Sequence, residues 1–91
     1  MLTSKERARL RSMGNELEPI FQIGKCGVTE EIINQLDQAL TARELIKVRV
    51  LKNCPFEPEE VAQEVSEATG SELVQVIGRN FLIYREELKD N

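Results

Sequence analysis

Gly24, Lys25, Cys26 and Gly27 have the types and spacing of a phosphate grip. A glycine at each end lets the backbone adopt positive φ and approach a ligand closely. Lys25 adds a mobile full charge. Thr29 follows as a helix N-cap residue, with Glu30 and Glu31 where carboxylates suit the helix dipole. A helix starting there turns its unpaired N–H groups toward the loop. The same four residues would also serve a plain strand-to-helix turn that needs glycine for shape. On local sequence both readings stand.

Other chemistry finds less support. The 91-residue chain has no histidine, which removes the commonest general base and a common metal ligand. Neither the Walker phosphate-loop pattern nor a GxGxxG fingerprint occurs. Cys26, beside Lys25 and ahead of a helix, has the setting of a redox-sensing thiol, but also suits a small loop filler. Cys26 and Cys54 lack metal spacing and are read as free thiols. Glu57, Glu59, Glu60, Glu64 and Glu67 crowd one helix. They form a solvated face or, alternatively, the docking face of a protein-interaction adaptor. The expectation is a non-enzyme without cofactor, metal or small-molecule substrate.

Cations could extend the loop into a larger anionic site. Residues 1–52 hold nine Lys/Arg against seven Asp/Glu, and residues 53–91 hold three against nine. The net charge is −4, yet the local field rather than the total decides phosphate binding. The candidates are Arg7, Arg9 and Arg11 on a first helix, Lys25 in the loop, Lys47 and Arg49 on a strand, and Arg79 in a turn. Arg85 is a further, less central cation. Phe21, Phe56 and Phe81 read as core or staple residues, so a base-stacking platform of the RRM kind is not expected and recognition should be mainly of backbone and shape.

The positioning elements follow from pattern. Thr3 and Glu6 form a capping box, Leu10 and Met13 give a narrow apolar edge, and Gly14 is placed to end this surface helix in a left-handed turn. Pro19 to Ile23 reads as a short strand. Ile32, Ile33, Leu36 and Leu40 make the apolar stripe of the helix capped by Thr29. Leu45 to Leu51 alternates, with Ile46, Val48 and Val50 inward and Lys47 and Arg49 on a wet cationic face. Pro58 opens a third helix running to Thr69, with Val61, Ala62, Val65 and Ala68 inward, Phe56 stapled onto Val61 and Gly70 as its stop. Leu73 to Ile77, a tight Gly78-Arg79-Asn80 connection and Phe81 to Arg85 form a hairpin. The order, helix then βαβαββ, predicts an α/β two-layer sandwich with a mixed four-stranded sheet in one domain spanning residues 1–91. Residues 1–85 carry the structure and 86–91 a frayed tail.

Several separated motifs resemble the YhbY family, bacterial stand-alone CRM domains (chloroplast RNA splicing and ribosome maturation). They are Leu2-Thr3-Ser4-Lys5, Leu17 to Lys25, Gly27-Val28-Thr29, Glu44 to Val48, Val74 to Arg79 and Leu82 to Arg85. The resemblance covers nearly the whole chain. It implies a fold similar to the C-terminal domain of translation initiation factor three, with sheet order 1-2-4-3. It also implies RNA binding through a GxxG loop matched by Gly24, Lys25 and Gly27, and association with precursors of the large ribosomal subunit. Cys26 stands where the family usually has glycine, and the acidic C-terminus replaces the basic tail of some relatives.

Together these readings predict an RNA-binding protein, with ribosomal RNA or large-subunit precursors as partner. Gly24, Lys25, Cys26, Gly27, Thr29, Arg7, Arg9, Arg11, Lys47, Arg49 and Arg79 are its candidate contacts. A monomer in the cytoplasm is expected, with no membrane partner, since the chain has no long apolar run and no apolar signal region.

Overall fold

The computed structural model describes residues 2–86; most of the expected 86–91 tail lies outside the described residues. The elements are α1 (Ser4–Gly14), β1 (Phe21–Ile23), α2 (Glu30–Arg43), β2 (Leu45–Val50), α3 (Pro58–Thr69), β3 (Glu72–Ile77) and β4 (Asn80–Tyr84). They form a four-stranded sheet in the order β1-β2-β4-β3. β1 and β2 run parallel, and both pairs involving β4 are antiparallel. The predicted fold class and strand order are therefore observed.

Local signals explain most boundaries. Thr3 caps α1, and its backbone N–H and side chain exchange hydrogen bonds with Glu6, which lowers the Glu6 pKa below the usual carboxylate value. Thr29 caps α2 through the Ile32 N–H at 3.2 Å. Pro58 opens α3. Gly70 closes α3 with φ 63°, and the Ser71 N–H reaches the Ser66 carbonyl at 2.9 Å, the pattern of a Schellman stop. At the hairpin Ile77 pairs with Asn80, so the loop is Gly78-Arg79 alone, with Gly78 at φ 59°.

The sheet buries both faces, unequally. Ile46, Val48, Val50, Phe81 and Ile83 meet Leu36 and Leu40 of α2 and Val61, Ala62 and Val65 of α3 in the main core. This is the expected two-layer sandwich. On the opposite face α1 lies across part of the sheet, where Leu10 packs with Leu45, Val74 and Leu82. The face carrying Lys47 and Arg49 is thus wet only beyond α1: Lys47 is half-buried and Arg49 exposed.

Several sequence expectations are corrected. Gly14 does not end α1 in a left-handed turn. It is helical and buried, Asn15 caps the helix in the right-handed region, and a β-carbon on Gly14 would lie 2.2 Å from Leu82 Cδ1. Glycine is needed there for close packing. Ala68 points outward, because the buried stripe of α3 continues through Ser66 and Thr69. Their hydroxyls donate to the carbonyls of Gln63 and Val65, which makes their burial affordable. β1 begins at Phe21 rather than Pro19, although the Ile20 N–H still reaches the Lys47 carbonyl at 3.0 Å. Phe56, expected as a core or staple residue, is 50% exposed, and its ring lies against Gly27.

Candidate nucleic-acid interface

Gly24 to Gly27 close a tight turn, in which the Gly27 N–H donates to the Gly24 carbonyl at 2.9 Å. Lys25 and Cys26 occupy its two central positions, and both are exposed. Gly27 alone takes positive φ, at 66°. The two glycines therefore serve different needs. Gly27 supplies the left-handed conformation. Gly24 supplies room, since a β-carbon there would lie 3.1 Å from Asn53 Oδ1 and 3.3 Å from Leu51 Cδ1. Because Cys26 keeps negative φ, its side chain fits this turn position without backbone strain.

The parallel pairing of β1 with β2 sets what stands beside this turn. Ile23 pairs with Val50, so the two strands end together, and the loops after them leave side by side. The second loop brings Lys52, Asn53 and Phe56 next to the glycine turn. The β3–β4 hairpin ends at the same edge. Arg79 there donates through Nε to the Val50 carbonyl at 2.8 Å and through Nη2 to the Leu51 carbonyl at 2.7 Å. It fastens the point where β2 leaves the sheet. Thr29 completes the edge by capping α2, whose first turn holds the exposed Glu30 and Glu31. These carboxylates partly neutralise the positive helix end, so the field at the turn depends on Lys25 and Lys52.

On the outer sheet face a row runs Gln22, Arg49, Asn80, Ile77 across all four strands. Lys47 lies in the next row, paired with Leu82. Asn80 Oδ1 is buried and has no hydrogen-bond partner among the described residues. No ion pair among the described residues engages Lys25, Lys47, Arg49 or Lys52.

The arginines of α1 sit elsewhere. Arg7 Nη1 donates to the carbonyls of Leu73 and Val74 at 2.6 and 3.1 Å, fastening α1 to β3. Arg9 shares a hollow with Glu6, Arg43, Glu44, Leu45 and Tyr84. There burial and the neighbouring Glu44 raise the Tyr84 pKa. From the Leu45–Tyr84 pair to the Arg49–Asn80 pair is four residues, about 13 Å along the strand. Arg7 and Arg9 therefore lie toward the opposite end of the sheet from the glycine turn. Arg11 is exposed on α1. Arg85 binds Asp37, Thr41 and the Thr69 carbonyl, holding α2 against the end of α3.

The structure thus gathers Gly24, Lys25, Cys26, Gly27, Thr29 and Arg79 at one edge, with Lys47 and Arg49 on the adjoining face, and leaves Arg7 and Arg9 apart. Sequence reasoning missed Lys52, Asn53 and Phe56. The available signal was the predicted parallel pairing, which makes the loops after β1 and β2 neighbours. Both cysteines are free, Cys26 exposed and Cys54 buried. Among the described residues no group of His, Cys, Asp or Glu is placed to hold a metal ion, and no helix is long and apolar enough to cross a membrane.

Comparison with known proteins agrees with this architecture. The family model described as the CRS1 / YhbY (CRM) domain matches residues 2–85. The chain is 47% identical over 91 residues to the Probable RNA-binding protein YqeI of Bacillus subtilis, covering all of this chain and 94% of that one. It is 32% identical over 90 residues to the Probable RNA-binding protein PA4753 of Pseudomonas aeruginosa, covering 99% and 86%. The solution structure of the hypothetical protein SAV1595 from Staphylococcus aureus superimposes with a TM-score of 0.83 at 52% identity, covering 100% of this chain and 95% of that one.

Proposed function

The chain belongs to the CRS1 / YhbY (CRM) domain family, and we propose that it is a non-catalytic RNA-binding protein that holds phosphate backbone at the Gly24–Gly27 turn. The observation that carries this reading is the edge itself. An exposed lysine tops a tight glycine turn, a second lysine stands in the neighbouring loop, and a capped helix begins behind them. Such an arrangement presents cations and backbone N–H groups to an anionic polymer. The relatives named as RNA-binding proteins support RNA as that polymer.

Arg49 and Lys47 extend the contact along the open sheet face. Arg79 shapes the edge through the β2 carbonyls and has its remaining guanidinium N–H groups for phosphate. Arg11 and Arg9, exposed on α1, lie outside this edge, and Arg7 contributes mainly through the fold. The target we propose is ribosomal RNA or a precursor of the large ribosomal subunit, bound by a cytoplasmic monomer. The family resemblance is the support for that target.

The test compares charge changes at the two ends of the molecule. Lys25→Glu should weaken binding to structured ribosomal RNA at low salt regardless of sequence, by about 10-fold or more, because a phosphate contact becomes a repulsion. Glu64→Ala, on the exposed face of α3, should not weaken binding. If Glu64→Ala proves the more damaging, the acidic helix is the working surface. If the unmodified chain shows no binding at low salt, the RNA reading fails.

A further inference from the structure

We propose that Phe56 is a stacking platform for an unpaired nucleobase beside the phosphate held at the glycine turn. This inference rests on the RNA-binding reading above and narrows its ligand to single-stranded or looped RNA.

The ring's position carries the argument. A β-carbon on Gly27 would lie 3.1 Å from Phe56 Cε2 and 3.3 Å from Cδ2, so one edge of the ring is seated on the glycine. Half of the side chain remains open to water. The other aromatic side chains are placed differently: Phe81 is buried, Phe21 packs against the main core, and Tyr84 packs against the α1 cluster. Phe56 is therefore the aromatic that meets solvent at the cationic edge.

Its surroundings select the ligand. An isolated exposed phenylalanine needs no explanation. This one is bounded by Gly27, belongs to the loop that carries Lys52, and adjoins the turn that presents Lys25. Such an edge suits a polyanion whose repeating unit also carries a flat apolar face. In a nucleotide the base stands one sugar away from its phosphate. A backbone resting on the Lys25 turn can thus lay a base on the Phe56 ring. In a duplex the faces of the bases are already stacked on one another, so only an unpaired base can use the ring. Stacking accepts every base, because each has a π-face, so the device adds affinity with little sequence preference.

The experiment uses three probes: a short single-stranded oligouridylate, the same backbone with abasic sites, and an RNA duplex. Phe56→Ala should bind the oligouridylate roughly 10-fold more weakly and bind the abasic strand and the duplex as the unmodified chain does. Phe56→Leu keeps apolar bulk over Gly27 without a π-face and should lose the same discrimination, which separates stacking from a packing defect. Phe56→Trp should retain binding. The chain has no tryptophan of its own, so that indole reports directly, and its fluorescence should be quenched by the oligouridylate and not by the abasic strand. If Lys25→Glu weakens oligouridylate binding while Phe56→Ala does not, the backbone grip stands and the stacking platform is overturned. If the unmodified chain binds none of the probes, both readings fall.

Discussion

The two residues that close the glycine turn do different work, and that difference can be measured. Gly27 sits at φ 66° with the Phe56 ring at contact distance, whereas Gly70 sits at φ 63° with open space where a β-carbon would go. Placing alanine in this left-handed region costs roughly 1–2 kcal/mol by itself. We therefore expect Gly27→Ala and Gly70→Ala to lose similar stability in denaturant titrations. Their RNA binding should diverge: Gly27→Ala pushes the ring off its seat and reshapes the turn, and Gly70→Ala leaves that edge untouched. Equal binding by the two variants would remove Gly27 from the site. The turn was legible from sequence because two glycines around a lysine, followed by a capping threonine, form a local pattern. Phe56 and Lys52 were not. Phe56 precedes Pro58 at staple spacing, which is an equally local pattern, and the side-by-side exit of β1 and β2 that brings the ring to Gly27 is not local. The contacts of Arg7 were hidden for a related reason. A cation on a surface helix reads as solvated, and nothing nearby in sequence announces the Leu73 and Val74 carbonyls that it binds.

At the scale of elements, propensity and periodicity explain boundaries better than contacts. The bounds of α3 were readable from Pro58 to Gly70, and its inward stripe was right except at its last turn. There Ser66 and Thr69 are buried because their hydroxyls bond back to the helix. Gly14 is the instructive failure. Near a helix end, glycine usually marks a left-handed stop. Here it lets α1 approach β4 until the Leu82 side chain fills the place of a β-carbon, with both Cδ atoms and Cγ at 3.0 Å or less. Exposed and unopposed, Gly14→Ala would gain about 1 kcal/mol of helix propensity. Leu82 cannot readily move, being buried among Leu10, Leu45 and Val74. Overpacking of this kind costs roughly 1–3 kcal/mol, so the net effect should be destabilising. The double variant Gly14→Ala with Leu82→Ala should be more stable than the sum of the two single losses, because the cavity and the added methyl compensate. Additive losses in chemical denaturation would show that the glycine is not a packing requirement.

For the whole molecule the question is how a chain of net charge −4 holds a polyanion, and salt dependence answers it quantitatively. Each phosphate neutralised by a cation adds about −0.7 to the slope of log affinity against log salt for a single strand. If contact is confined to the loop edge and the open sheet face, the cations available are Lys25, Lys47, Arg49 and Lys52. Arg79, through the guanidinium N–H groups not used on the Val50 and Leu51 carbonyls, is a fifth. That set gives a slope of about −3.5 and a loss of about 130-fold in affinity between 50 and 200 mM salt. If Arg9 and Arg11 of α1 also reach the RNA, the slope approaches about −5 and the loss about 900-fold. The geometry favours the shallower value, since Arg9 lies in the hollow with Glu44 and Tyr84, toward the far end of the sheet. Titrating a single-stranded oligonucleotide across that range distinguishes the two. An Arg9→Gln, Arg11→Gln variant checks the result independently: an unchanged slope confines the interface to the glycine edge, and a shallower one extends it over α1. The acidic α3 makes the same point from the opposite side. Its carboxylates set the negative total, but α3 packs on the sheet face opposite the one that carries Lys47 and Arg49. Salt at 0.15 M screens exposed charges beyond about 8 Å. Neutralising Glu60, Glu64 and Glu67 should therefore raise affinity at low salt and have little effect at physiological salt.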